Sequence, residues 1–381
     1  MTSTRRLQDI QRTFVSARGS VLSIYARVPP GSREDLAEHV KVSLDGVDAP
    51  PDLVARARSV FSRPPRGRTV ALFVAQGADE QVRLDVELPV AGQARSELVE
   101  ARVGEQPWLL PLEKALGRTP PTAVVYVDRE RCRMFRAHMG QAEELEVTQR
   151  IPHEGFETTP APRQGPAPGG EAPARDDAHH DRKQRHEAHL RDQMYREVVE
   201  RLNALVDEEG AESILVVGTA KNVAAFLSLL PVRLADRAVA GGSSFPDPDL
   251  APERIPEVLR DDLEGIAKAR QQRRLDALRE SGRSGLESVL EAAQEGRAER
   301  IVVPWVSEAA TVYRAADGFM TTRPERARAL DRAAGPVDEI GVDDALAELA
   351  PRFGIAVEAV DDEASARLKA EHEGIAALLR W

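Results

Sequence analysis

The chain has 381 residues and a mass of 41.7 kDa; 42% of its residues are hydrophobic and 30% charged, enough to build two or three cored domains. Its single cysteine, Cys132, excludes a disulfide scaffold and any cysteine-based zinc site, and 4% aromatics argue against an aromatic platform for single-stranded nucleic acid. A net charge of -11 excludes a wholly basic nucleic-acid coat, while a local phosphate-binding patch stays compatible with it.

No apolar run approaches the roughly 20 residues of a membrane helix, and the opening residues lack the hydrophobic region of a secretion signal. The expectation is a soluble, cytoplasmic protein with no membrane partner.

In chain order, residues 5–14 read as a short amphipathic helix and 20–27 as a strand. Residues 33–62 read as helical. Arg63-Pro64-Pro65-Arg66-Gly67-Arg68 breaks that pattern, and 69–75 reads as a buried strand. Strand signals follow at 81–88 and 98–103. Pro107 to Pro121 reads as a domain edge. Strands are then expected at 122–127, 131–137 and 144–151. Residues 155–178 place five prolines and four glycines in 24 positions without periodicity, which predicts a long loop. A long helix is expected over 179–208, then strand 213–217, helix 221–229 and strand 233–239. Helical pattern covers 252–280. Beyond it the reading is helix 286–295, strand 300–305, a polar insert at 314–323, helix 342–350, strand 355–360, helix 363–372 and strand 375–380. The fold class expected is α/β (α+β) in three domains: 1–118, 119–250 with a long loop at 152–178, and 251–381 as an α-β-α sandwich.

Several residue groups carry candidate chemistry. His179, His180, His186 and His189 bring four of the eight histidines into 11 positions. Their neighbours Arg182, Lys183 and Arg185 would repel a cation, so the reading is no metal site but a basic helix end. There Arg182, Lys183, Arg185 and Arg191 meet phosphates and the histidines add a pH-tunable charge. A second basic cluster is Arg56, Arg58, Arg63, Arg66 and Arg68, suited to phosphate contact. No Walker or GxGxxG pattern occurs, and no cofactor is expected. Residues 336–381 are strongly acidic, which suits docking to a basic surface.

The ending Gly374-Ile375-Ala376-Ala377-Leu378-Leu379-Arg380-Trp381, after the acidic segment Ala356 to Glu373, resembles the C-terminal domain of archaeal and eukaryotic class I release factors and of the ribosome-rescue protein Pelota. Ala347-Glu348-Leu349-Ala350 through Phe353-Gly354 and the insert Val312-Tyr313-Arg314-Ala315-Ala316-Asp317-Gly318 look like the same family. So does the order of the middle domain: hairpin, loop, long helix, then a strand ending in Val216-Val217-Gly218-Thr219. Within the bacterial homologues the chain looks most like the ribosome-hibernation factor Balon and its actinobacterial relatives; other bacterial relatives are peptidyl-tRNA hydrolases.

The resemblance implies a transfer-RNA-mimic architecture and a ribosomal partner, the rRNA of the A site, with elongation factor Tu or another translational GTPase alongside and no DNA. It implies that the first domain faces the decoding centre, with Arg56, Arg58, Arg63, Arg66 and Arg68 on rRNA. It implies that the loop and helix face the peptidyl-transferase centre, through Gln164, Gly165, Gly169, Gly170, Asp176, Asp177, His179, His180, Arg182, Lys183 and Arg185. The family's catalytic Gly-Gly-Gln is absent from the chain. A gap-free count back from Arg196-Glu197-Val198-Val199-Glu200 puts its position near Asp176-Asp177-Ala178. The expected role is occupancy without catalysis, in hibernation or translational stress. The alternative is a peptidyl-tRNA hydrolase using Gln164.

Overall fold

The computed structural model describes residues 4–15, 19–28, 35–62, 69–76, 81–86, 88, 99–149, 175–208, 210–242, 247–331 and 335–380. They fall into two units: 1–120 with 138–141 and 265–381, and 121–137 with 142–264. The mixed α/β character expected from sequence is what the backbone shows.

The first segment runs α1 (Thr4–Val15), β1 (Val21–Arg27), α2 (Asp35–Leu44), α3 (Pro51–Phe61), β2 (Thr69–Ala75), β3 (Gln81–Val86), β4 (Val99–Gly104) and α4 (Leu110–Arg118). Its sheet has the order β3-β2-β1-β4, antiparallel throughout. β1 and β2 are near-continuous apolar runs because helices cover both faces. Val21, Tyr25, Ala71 and Phe73 join a core with α1 and α4. Leu22, Ile24, Leu72 and Val74 join another with α2 and α3. The helical stretch expected at 33–62 is two helices. Gly46 and Pro50 fall between them, and Pro50 and Pro51 start α3 rather than continue α2.

The second unit holds β5 (Thr122–Val127), β6 (Arg131–His138), β7 (Gln141–Gln149), α5 (Arg175–Glu208), β8 (Ser213–Gly218), α6 (Ala220–Leu227), α7 (Val232–Ala235), β9 (Ala238–Ala240) and α8 (Ile255–Val258). Four residues at the β6–β7 turn, His138–Gln141, group with the first unit. The sheet order is β7-β6-β5-β8-β9, with β5, β8 and β9 parallel and β6 antiparallel to β5. The strand expected at 233–239 is a helical turn followed by a three-residue strand. Pro231 sits at the N-cap and the buried Leu234 turns inward from the helix.

The remaining elements are α9 (Arg260–Ser281), β10 (Gly282–Ser284), α10 (Leu286–Gln294), β11 (Ala298–Pro304), β12 (Thr311–Arg314), β13 (Met320–Thr321), α11 (Pro324–Leu330), β14 (Asp338–Gly341), α12 (Val342–Phe353), β15 (Ala356–Val360), α13 (Asp362–His372) and β16 (Ala376–Leu379). The main sheet is β10-β16-β11-β15. Ile301, Val303 and Ala377 pack with α10 and α12, and Val302 and Ala376 with α9 and α13, so helices cover both faces. The polar insert contributes a separate sheet, β13-β12-β14. Glu287 of α10 ties it down, accepting hydrogen bonds from the Thr321 and Thr322 hydroxyls and the Thr322 amide and pairing with Arg326. Together these bonds outweigh its burial and hold its carboxyl down at about 2.

Candidate functional site

Helix α5 is the longest element, 34 residues and about 51 Å at 1.5 Å per residue. Its C-terminal part is anchored. Met194, Tyr195, Val198, Val199, Leu202, Leu205 and Val206 recur at helical spacing and bury against Val125, Val127, Ile214 and Val216 of β5 and β8. Tyr195 is fully buried, meets Phe226 edge-on at 5.4 Å, and donates its hydroxyl to the Asp128 carbonyl at 3.0 Å. Arg201 pairs with Glu146 of β7 at 2.7 Å, and Arg233 forks onto Asp207 at 3.0 Å.

Among the described side chains of α5, burial begins at Met194. The helix axis therefore extends about 28 Å beyond its first anchoring residue toward Arg175. The helix begins at Arg175, four residues before the expected 179. Asp176, Asp177 and Ala178 therefore lie in its first turn, not in the loop expected over 152–178.

His179, His180, Arg182, Lys183, Arg185 and His186 follow on the same helix, their side chains outside the described residues. Gln164, Gly165, Gly169 and Gly170 lie outside the described residues altogether. His189 is exposed. Arg191 donates to Asp192 at 2.7 Å and stacks 5.7 Å over the Tyr195 ring, so its charge is met within the helix.

The other basic cluster divides. Arg56 donates to the Ala75 carbonyl at 2.8 Å and so ties α3 to the end of β2. Arg58, two positions on and so on the other side of the helix, pairs with Asp45 after α2. Arg63, Arg66 and Arg68 lie outside the described residues. Cys132 is buried in β6, which pushes its thiol up to about 12, so no thiolate nucleophile forms there near neutral pH. Among the described residues no group of three or more His, Cys, Asp or Glu is placed to hold a metal. No described helix is long and apolar enough to cross a membrane.

Sequence reasoning named Gly169 and Gly170 but passed over Glu171, which completes Gly169-Gly170-Glu171. It differs from Gly-Gly-Gln in one side chain and ends three residues before α5 begins.

Residues 107–267 match the model of the bacterial archaeo-eukaryotic release factor family 10. No curated protein matches the chain. Among solved structures, the chain is similar to an archaeal translation termination factor, at 14% identity over 100% of this chain and 99% of that one, with a TM-score of 0.28. It is similar to Archaeoglobus fulgidus Pelota at 16% identity over 98% and 92%, with a TM-score of 0.33. An archaeal Pelota in a ribosome-bound model with ABCE1 matches at 14% identity over 98% and 94%, with a TM-score of 0.38. Residues 107–267, less than half of the chain, thus resemble the bacterial relatives of archaeal and eukaryotic release factors.

Proposed function

We propose that the chain binds the ribosomal A site and acts by occupancy, without hydrolysing peptidyl-tRNA. One observation carries this reading: a segment matching a release-factor family presents its long helix behind Gly-Gly-Glu instead of Gly-Gly-Gln. Release-factor chemistry develops negative charge on the ester oxygen, and a carboxylate near it opposes that charge where a neutral amide does not. The three functional parts are 1–118 toward the decoding centre, 119–250 toward the peptidyl-transferase centre and 251–381 toward a translational GTPase such as elongation factor Tu. The resemblance to Balon points to hibernation or translational stress. One solved neighbour is itself ribosome-bound, in keeping with a ribosomal partner.

In this reading Arg182, Lys183 and Arg185 meet rRNA phosphates, with His179 and His180 adding charge as pH falls. Arg63, Arg66 and Arg68, which follow α3 in the chain, serve the decoding side together with Arg56 and Arg58 on that helix. The test is a salt titration of binding to 70S ribosomes. Replacing Arg182, Lys183 and Arg185 together by Ala should weaken binding at least tenfold and flatten the salt slope. Unchanged affinity and slope would remove the helix from the interface.

A second reading, peptidyl-tRNA hydrolysis, is favoured by Gln164-Gly165 and by the two glycines of Gly169-Gly170-Glu171. Release abolished by Gln164→Ala would establish it.

A further inference from the structure

We infer that residues 1–120 and 265–381 form one rigid body, clamped shut by helix α4, so that the two lobes present their surfaces at a fixed spacing. Two lobes in one chain ordinarily move unless a large or apolar contact joins them. Here one nine-residue helix belongs to both cores. Leu109, Leu112 and Ala115 pack with Phe14, Val21, Tyr25 and Phe73 of the first lobe. Leu110, on another side of the helix, packs with Val289, Ala345, Leu346, Leu349 and Val357 of the second.

Polar contacts fix the helix in rotation and along its axis. Lys114 is buried, 3% exposed, and donates to both oxygens of Asp343 at 2.8 and 2.9 Å, and to the Trp305 carbonyl and the Ser307 hydroxyl at 3.3 Å each. One turn on, Gly117 lies against β15, and its carbonyl accepts from Arg270 of α9. The same guanidinium pairs with Glu358 of β15, which is 2% exposed. Arg274 and Arg300 lie 3.3 and 3.2 Å from the other oxygen of that carboxylate. Beside the helix, Arg102 of β4 stacks 3.8 Å over Trp108 and reaches Asp344 of the second lobe. A buried, oriented charge set permits one register of packing and penalises its neighbours, because any slip strands a charge in a low-dielectric setting.

The consequence is for partners. A hinged pair of lobes spends part of its binding energy on ordering the hinge; a rigid pair does not. A partner surface that offers two sites at the matching spacing is therefore bound with the two contributions combined, and one at another spacing engages one lobe only. This inference does not rest on the ribosomal reading, since it concerns the chain alone.

The test measures one distance in the full chain. Val42→Cys on α2 and Leu330→Cys at the end of α11 are exposed positions, and the buried Cys132 stays unlabelled. Double electron–electron resonance between spin labels at 42 and 330 should give one narrow distribution. A broad or multiple distribution would overturn the inference. Adding Gly117→Val, which drives a side chain into β15, should broaden the distribution while the circular dichroism is kept; an unchanged width would remove α4 as the clamp. Where that variant does not fold, hydrogen exchange in the unmodified chain decides. The amides of 112–118 should exchange as slowly as those of β2 and β11, and faster exchange in α4 than in both strands would contradict a shared clamp.

Discussion

Gly117 of α4 faces Glu358 of β15 so closely that a Cβ at position 117 would stand 2.7 Å from the Glu358 Cα and 2.9 Å from the Val357 carbonyl. Glycine is required here by the approach of two backbones, in a helix that otherwise disfavours it. Ala raises intrinsic helix propensity at the site, yet Gly117→Ala should destabilise the chain by about 2 kcal/mol, because overpacking against main chain cannot be relieved by a rotamer. Urea unfolding checks this, and a neutral or stabilising result would show that α4 is free to shift.

Glu358 pairs with Arg270, Arg274 and Arg300 together. Glu358→Gln keeps the shape and leaves three guanidinium groups without that charge. Breaking a buried ion pair costs about 3–5 kcal/mol, and the partial exposure of Arg274 and Arg300 puts the expected loss near the lower end, about 3 kcal/mol. The midpoint of thermal unfolding should fall accordingly, and a loss under about 1 kcal/mol would mean that water replaces the carboxylate.

Glu113 gives a pH test. Burial in α4 pushes its carboxyl up to about 7, against about 4.3 for a free glutamate. Between those values the folded chain keeps a proton that the unfolded chain has lost. The stability this group contributes is therefore full below about pH 4.3 and is lost as pH rises through 7. Glu113→Gln holds the neutral form, so the variant should exceed the parent at pH 8 by up to about 2 kcal/mol, discounted for the residue's partial exposure, and match it near pH 4. Parallel stability curves from pH 4 to 8 would contradict the raised carboxyl.

The segment before α5 allows a gain-of-function test. Glu171→Gln supplies the one side chain by which Gly169-Gly170-Glu171 differs from Gly-Gly-Gln. If this segment takes the place of a release-factor loop, the variant should release peptide from loaded ribosomes where the parent does not. Ribosome binding without any gain in release would put the segment elsewhere or make further loop residues necessary.

Much of this architecture is legible from hydrophobic pattern. The runs Val70 to Ala75 and Ile214 to Val217 declare buried strands, and Met194-Tyr195, Val198-Val199, Leu202 and Leu205-Val206 declare the anchored face of α5. Helix α4 is not legible in the same way. Pro107, Pro111 and Gly117 all read as breakers, whereas Pro111 sits in the first turn, where its missing N–H is no loss, and Gly117 serves a close contact. The buried charges also hide. Lys114, Arg270 and Glu358 look like surface residues until distant segments bring their partners to them. The strands β12, β13 and β14 have four, two and four residues, too short for an alternating pattern to register. Arg56 and Arg58 show the limit of charge counting. Their density suggested a phosphate patch, while the geometry binds each within the lobe.

The most direct test of occupancy without catalysis is sucrose-gradient co-sedimentation of the full chain with vacant and with peptidyl-tRNA-loaded 70S ribosomes, with and without elongation factor Tu, assaying released peptide in the same tubes. The account predicts stable co-sedimentation and no release above the ribosome-only background. Peptide release by the unmodified chain, or no binding to either ribosome at low salt with elongation factor Tu present, would contradict it.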